Sequence, residues 1–100
     1  MSVALILEFD GVSVEQYHEV NGYLGIDART NEGDWPAGMV SHTAGMGDHG
    51  NCVVFEVWDS KDDQQAFMQS RLGASLAKAV VPEQPSRFEW FEVEGHRERP

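Results

Sequence analysis

Basic charge is scarce in this chain. Lys and Arg together number 7 against 17 Asp and Glu, a formal net charge of −10. No basic patch is available to neutralise phosphates, which argues against nucleic acid as a partner. Anionic membrane surfaces would repel the chain as well. Cysteine is nearly absent: the single Cys52 cannot form a disulfide within the chain. Long apolar runs are missing too. The opening MSVALILEFDG has no basic flank and is too short for a signal peptide or a membrane span. The expectation is a reducing cytoplasm.

Signature motifs are equally thin. There is no G-x-S-x-G, no phosphate-binding loop and no dinucleotide fingerprint. His18, His42, His49 and His96 are scattered, with no H-x-x-x-H and no Cys/His cluster, so no metal site and no cofactor are expected. Cys52 lacks a basic neighbourhood and reads as a small buried hydrophobe.

What the chain does have is a globular composition, with 41% apolar residues spread along its 100 residues. One domain over residues 1–94, followed by a flexible tail at 95–100, fits that length. Residues 3–9 form a β-branched apolar run closed by Asp10-Gly11, a strand with both faces covered or nearly so. Ser13 and Gln16 have capping-box spacing. Val14, Tyr17, Val20 or Asn21, and Leu24 then mark one helix face, with Gly25 as its stop. Residues 27–37 are polar turn formers and read as a long loop, with Trp35 either a lid or packed on the loop's own base. Residues 38–46 and 51–58 read as strands around the turn Gly47-Asp48-His49-Gly50, a hairpin. Ser60 caps a second helix with Asp62 and Asp63 at its positive end. Met68, Leu72, Leu76 and Val80 supply its apolar stripe, Gly73 is a potential break, and Pro82 lies beyond its end. Residues 87–93 alternate charged and aromatic residues as a last strand.

The order β-α-β-β-α-β is the split βαβ, ferredoxin-like plan: an α+β fold with a four-stranded antiparallel sheet and two helices on one face. The face without helices carries apolar side chains as well. Such a face ordinarily finds a partner, which predicts a homodimer by sheet-to-sheet packing.

The hairpin brings two chemical residues together. A loop of three or five residues centred on His49 sets His42 opposite Glu56, Val40 opposite Trp58, Ala44 opposite Val54 and Met46 opposite Cys52, all on one face. A two-residue loop would separate His42 from Glu56. A carboxylate beside an imidazole fixes its tautomer and raises its affinity for a proton. Such a dyad serves either as a general base or as a satisfied polar pair in a core. Tyr17 lies on the buried stripe of the first helix, where its hydroxyl reaches the same space. His18, one position further round, should face water. A pocket lined by Tyr17, Val40, His42, Glu56, Trp58 and Phe67 follows, with Trp58 as an aromatic platform.

The run VVFEVWDS at residues 53–60, followed by Phe67, resembles the V-x-[DE]-V-W-[DE]-S…F signature of small dimeric α+β barrel proteins. His42 also matches a recurring position in bacterial members. The resemblance spans residues 3–94 and implies the ferredoxin-like fold and the dimer. It further implies kinship with cofactor-free monooxygenases of the antibiotic-biosynthesis type. Heme-degrading members share Trp58, but they carry an Asn in the first strand and a His on the second helix, both missing here. Quinone-forming members place Asn, Trp, Arg and Tyr around a polyphenol; Trp58 and Tyr17 match two of these types, and the resemblance assigns no counterpart here to the Asn or the Arg. Two expectations result. One is an enzyme acting on a small aromatic or apolar molecule, with His42 as base oriented by Glu56. The other is a non-catalytic binding or interaction module whose His42–Glu56 pair is structural.

Overall fold

The computed structural model describes residues 2–81, 84–97 and 99. Strand β1 (Val3–Phe9) runs through the middle of a four-stranded antiparallel sheet. It pairs on one side with β5 (Cys52–Trp58) and on the other with β6 (Arg87–Glu92), and β4 (Met39–Met46) pairs with the outer edge of β5. The α+β, ferredoxin-like plan expected from the element order is the one observed. Leu5 and Leu7 of β1 are buried, as a central strand requires.

Helix α1 (Val14–Leu24) begins with the expected capping box between Ser13 and Gln16 and ends at Gly25, whose φ of 77° is left-handed. The segment after it is less open than a bare loop. Strands β2 (Ile26–Asp27) and β3 (Glu32–Gly33) pair within it. Gly33, at φ 114°, cannot be replaced freely, because a Cβ there would stand 2.2 Å from the Gly25 carbonyl oxygen. Arg71 ties the far end down, donating to the carbonyls of Leu24 (2.8 Å) and Asp34 (2.7 Å).

The second helical segment departs from an even fourfold stripe. Helix α2 (Lys61–Phe67), capped by Ser60, passes into a π-helical turn (Met68–Leu72) and then into α3 (Gly73–Lys78). The helix is underwound, not broken at Gly73. A π turn holds more residues than an α turn. That lets Phe67 and Leu72, five apart, face the same cavity as Leu76. Val80 is not on the apolar stripe: it is 83% exposed with φ 57°, and Val81 takes the buried place. Bonds from Val81 N to Leu76 O and from Val80 N to Ala77 O form a Schellman end, with a β-branched residue where glycine is usual. Pro82 and part of the expected 95–100 tail lie outside the described residues.

The β4–β5 hairpin adopts the register that brings His42 opposite Glu56, with Ala44 opposite Val54 and Met46 opposite Cys52. One pairing is corrected. A bulge at Val40 sets Met39, not Val40, against Trp58, and Val40 is 53% exposed. An extra residue in one strand turns its side chain away from the face that it would otherwise share.

Candidate active site

The site is built on the inner ends of β4 and β5, beneath α1. Tyr17 lies on the sheet-facing side of α1, His42 on β4, and Glu56 and Trp58 two apart on β5, hence on one face. Four side chains join in sequence. The Tyr17 hydroxyl lies 2.6 Å from His42 Nε2, His42 Nδ1 lies 2.9 Å from Glu56 Oε2, and Trp58 Nε1 donates to Glu56 Oε1 at 3.0 Å.

The chemistry of the groups gives this chain a direction. An indole nitrogen can only donate, and a carboxylate can only accept. Glu56 therefore receives Trp58 Nε1–H on one oxygen and His42 Nδ1–H on the other. A neutral imidazole protonated at Nδ1 accepts at Nε2, so the Tyr17 hydroxyl donates its hydrogen there. Glu56 is 6% exposed and both its oxygens are engaged. Burial pushes the Tyr17 phenol above its ordinary value, and Cys52 and Glu56 reinforce that shift. The Asn21 amide, one turn along the helix, pulls the other way without making a hydrogen bond of ordinary geometry. Tyr17 is therefore a neutral hydroxyl at ordinary pH, with oxygen lone pairs left for a further donor.

Two spaces meet at this chain. An open cleft of about 390 Å³ is lined by Tyr17, His18, Trp35, His42 and Cys52 among others. A smaller pocket of about 70 Å³ lies under the helices, with Val20, Asn21, Val54, Glu56 and Phe67 in its nearly apolar wall. Tyr17, Trp35, His42 and Cys52 border both. Trp35 packs over the His42 ring at 5.3 Å between centroids, and its Nε1 donates to Asn31 O. Loop packing and coverage of the site are therefore combined in one residue.

Among the expected pocket residues, Tyr17, His42, Glu56 and Phe67 meet around the inner space. Two are corrected. Trp58 is fully buried behind Glu56 with its ring 5.9 Å from Phe67, so it supports the carboxylate and offers no face for stacking. Val40 sits on the bulge, lines neither the cleft nor the inner pocket, and borders a separate depression of about 160 Å³ that it shares with Asn31, Trp35, Met39, Ser41 and His42. His18 does not simply face water: it lines the cleft edge-on to Tyr17 at 5.1 Å. Cys52 is a buried free thiol, pushed up by burial. Sequence reasoning did not find Asn21. Its only signal was a polar residue on an otherwise apolar helix face. Among the described residues, no three His, Cys, Asp or Glu converge as a metal site would need. Nor is any helix long and apolar enough to cross a membrane.

No protein-family model matches the chain, and no curated protein matches it. Solved structures share its fold. A candidate antibiotic biosynthesis monooxygenase from Chloroflexus aurantiacus is 16% identical with a TM-score of 0.66, the match covering 97% of this chain and 98% of that one. A Mycobacterium tuberculosis protein is 14% identical with a TM-score of 0.68, over 98% and 100% of the two chains. A dimeric Bacteroides fragilis protein of unknown function and ferredoxin-like fold is 20% identical with a TM-score of 0.56, over 92% and 96%. At these identities the likeness is one of fold, and fold alone does not carry activity.

Proposed function

We propose that the cleft binds a small hydroxylated aromatic molecule, and that the Tyr17–His42–Glu56 chain removes its hydroxyl proton in a cofactor-independent, monooxygenase-like reaction. The observation that carries this reading is the directed hydrogen-bond chain ending where the open cleft meets the apolar pocket.

The chain's direction assigns the roles. Tyr17 covers His42 Nε2, so the group that meets the ligand is the Tyr17 hydroxyl. A ligand proton passes to the Tyr17 oxygen as the tyrosine hydrogen passes to His42 Nε2. The imidazolium formed is stabilised by Glu56, which Trp58 holds in place. Phe67 and Trp35 supply apolar contact, while Val40 and Trp58 stand away from the ligand. A phenolate gives up electrons more readily than the neutral phenol. Phenol and dioxygen balance to quinone and water without an external reductant. The antibiotic-biosynthesis neighbour shares the fold in which such a site would sit.

A homodimer belongs to the same reading. On the sheet face away from the helices, Phe55 (38% exposed) and Phe91 (43%) have ring centroids 6.2 Å apart. Packing this face on a second copy would remove it from water. The buried, unpaired Cys52 fits a reducing compartment.

The test uses wild type and His42→Gln with simple phenols and hydroquinones in the presence of a chelator. Ligand binding is followed by tryptophan fluorescence and turnover by oxygen uptake. The expected result is binding by both proteins and oxygen uptake by wild type alone. Binding without uptake by wild type would favour the non-catalytic module, and undiminished uptake by His42→Gln would remove the relay.

A further inference from the structure

Asn21 is the feature of the pocket that the relay leaves unexplained. It lies four residues after Tyr17 on α1, so the two side chains share one helix face. Both line the inner pocket. Asn21 is 7% exposed, and its Nδ2 is the one buried side-chain nitrogen or oxygen without a hydrogen-bond partner among the described residues. Folded proteins rarely keep such a donor empty, because it gave up water on burial. The rest of the wall is mostly apolar, including Leu7, Val20, Leu24 and Val54. A lone water would find two partners there, the Asn21 amide and the Tyr17 oxygen, the fewest that hold a buried water, in an otherwise apolar wall.

A single ligand hydroxyl satisfies both neighbours. Its hydrogen points to the Tyr17 oxygen, whose own hydrogen is committed to His42 Nε2. Its lone pair accepts from Asn21. We infer that Asn21 holds the ligand's reacting oxygen, its Nδ2–H donating to the aromatic hydroxyl at the inner end of the pocket and stabilising the oxyanion left when the proton departs. This rests on the proposed reading of the pocket as a phenol site and adds the group that holds the developing charge. An amide dipole fixed in a low-dielectric pocket acts more strongly than water, because it needs no reorganisation as charge appears. The inferred ligand class is narrow: an aromatic oxygen carrying a hydrogen. The corresponding aryl ether could accept from Asn21 but could not feed the relay.

The experiment uses 4-nitrophenol, whose two protonation states absorb differently, with 4-nitroanisole as the ether control. Spectra of each probe bound to wild type, Asn21→Leu and His42→Gln are recorded across pH. Leucine matches asparagine in shape without the donor. Replacing an unsatisfied donor by an apolar group leaves stability unchanged or raised. Should the leucine overpack the site and prevent folding, Asn21→Ala provides the same readout. Expected is a drop of about tenfold in the bound phenolate-to-phenol ratio on Asn21→Leu, the size of one hydrogen bond to a charged group. Nitroanisole affinity should change much less. An unchanged ratio in Asn21→Leu overturns the inference while leaving the phenol site standing. So does a clear fall in the thermal stability of the free protein, which would show the amide already satisfied. Asn21-dependent ionisation without oxygen uptake sustains the inference and removes the monooxygenase reading. A wild type that binds neither probe overturns both.

Discussion

Replacing Glu56 by Gln tests the direction of the hydrogen-bond chain. Both neighbours of Glu56 are donors, Trp58 Nε1 at 3.0 Å and His42 Nδ1 at 2.9 Å. Gln offers one acceptor oxygen and one NH2. Trp58 is fully buried and cannot turn to water, so it keeps the oxygen. The amide nitrogen then confronts His42 Nδ1, which must give up its hydrogen to accept. The imidazole adopts the other tautomer and donates from Nε2 to the Tyr17 oxygen, displacing the tyrosine hydrogen into the pocket. The relay is reversed while the packing around it stays in place. Two bonds to a charged acceptor become neutral, a loss of about 1–2 kcal/mol offset in part by no longer burying a charge. Glu56→Leu, by contrast, strands both donors and should cost about 3–5 kcal/mol. Urea unfolding at neutral pH measures the two stabilities, and nitrogen NMR of the His42 ring identifies the tautomer. A Gln variant that keeps hydrogen on Nδ1 would refute the assigned direction. So would one that loses as much stability as the Leu variant.

Three further expectations follow from separate parts of the fold. Val80→Gly should raise stability by about 0.5–1 kcal/mol, the relief of a β-branched left-handed residue less the extra freedom of unfolded glycine; a loss in chemical denaturation would contradict the strain. Burial raises the pKa of both Cys52 and Tyr17 in the fold, so the unfolded chain ionises first. The stability they lend is whole below the ordinary thiol range, about pH 8, and falls as pH rises through the folded values. Cys52→Ala should flatten the earlier part of that fall, and a urea midpoint that stays level or climbs from about pH 8 to about pH 11 would be the wrong sign. Phe55→Glu sets a charge on the apolar sheet face. Sedimentation should show wild type at twice the mass of the variant, and a monomeric wild type at micromolar concentration would remove the proposed dimer.

Much of the architecture was legible because it depends on local chemistry. The Ser13–Gln16 box and Gly25 define α1 through groups only a few residues apart. The hairpin register was legible only as two alternatives, a loop centred on His49 that pairs His42 with Glu56 and a two-residue loop that parts them, and the fold takes the first. Once that register is set, His42 and Glu56 must meet. Other positions were decided at a distance. A bulge depends on how two strands fit the twist of the whole sheet, so Val40 carried no mark of leaving the inner face. Trp58 and Phe67 both look like pocket aromatics in sequence. Only the packing shows that one is sealed behind a carboxylate while the other lines the space.

By itself, then, the sequence determined the order of the four sheet strands and two helical segments and the face most of them present, because periodicity and caps act over a few bonds; it narrowed the meeting of His42 with Glu56 to a choice of hairpin loop length, which the folded sheet settled. Tertiary structure alone decided that Tyr17 closes the chain at His42 Nε2, that Trp35 covers it, and that Asn21 Nδ2 stands at the pocket wall without a hydrogen bond of ordinary geometry. These depend on how α1 and the β2–β3 segment settle on the sheet, where residues remote in sequence compete for the same few ångströms.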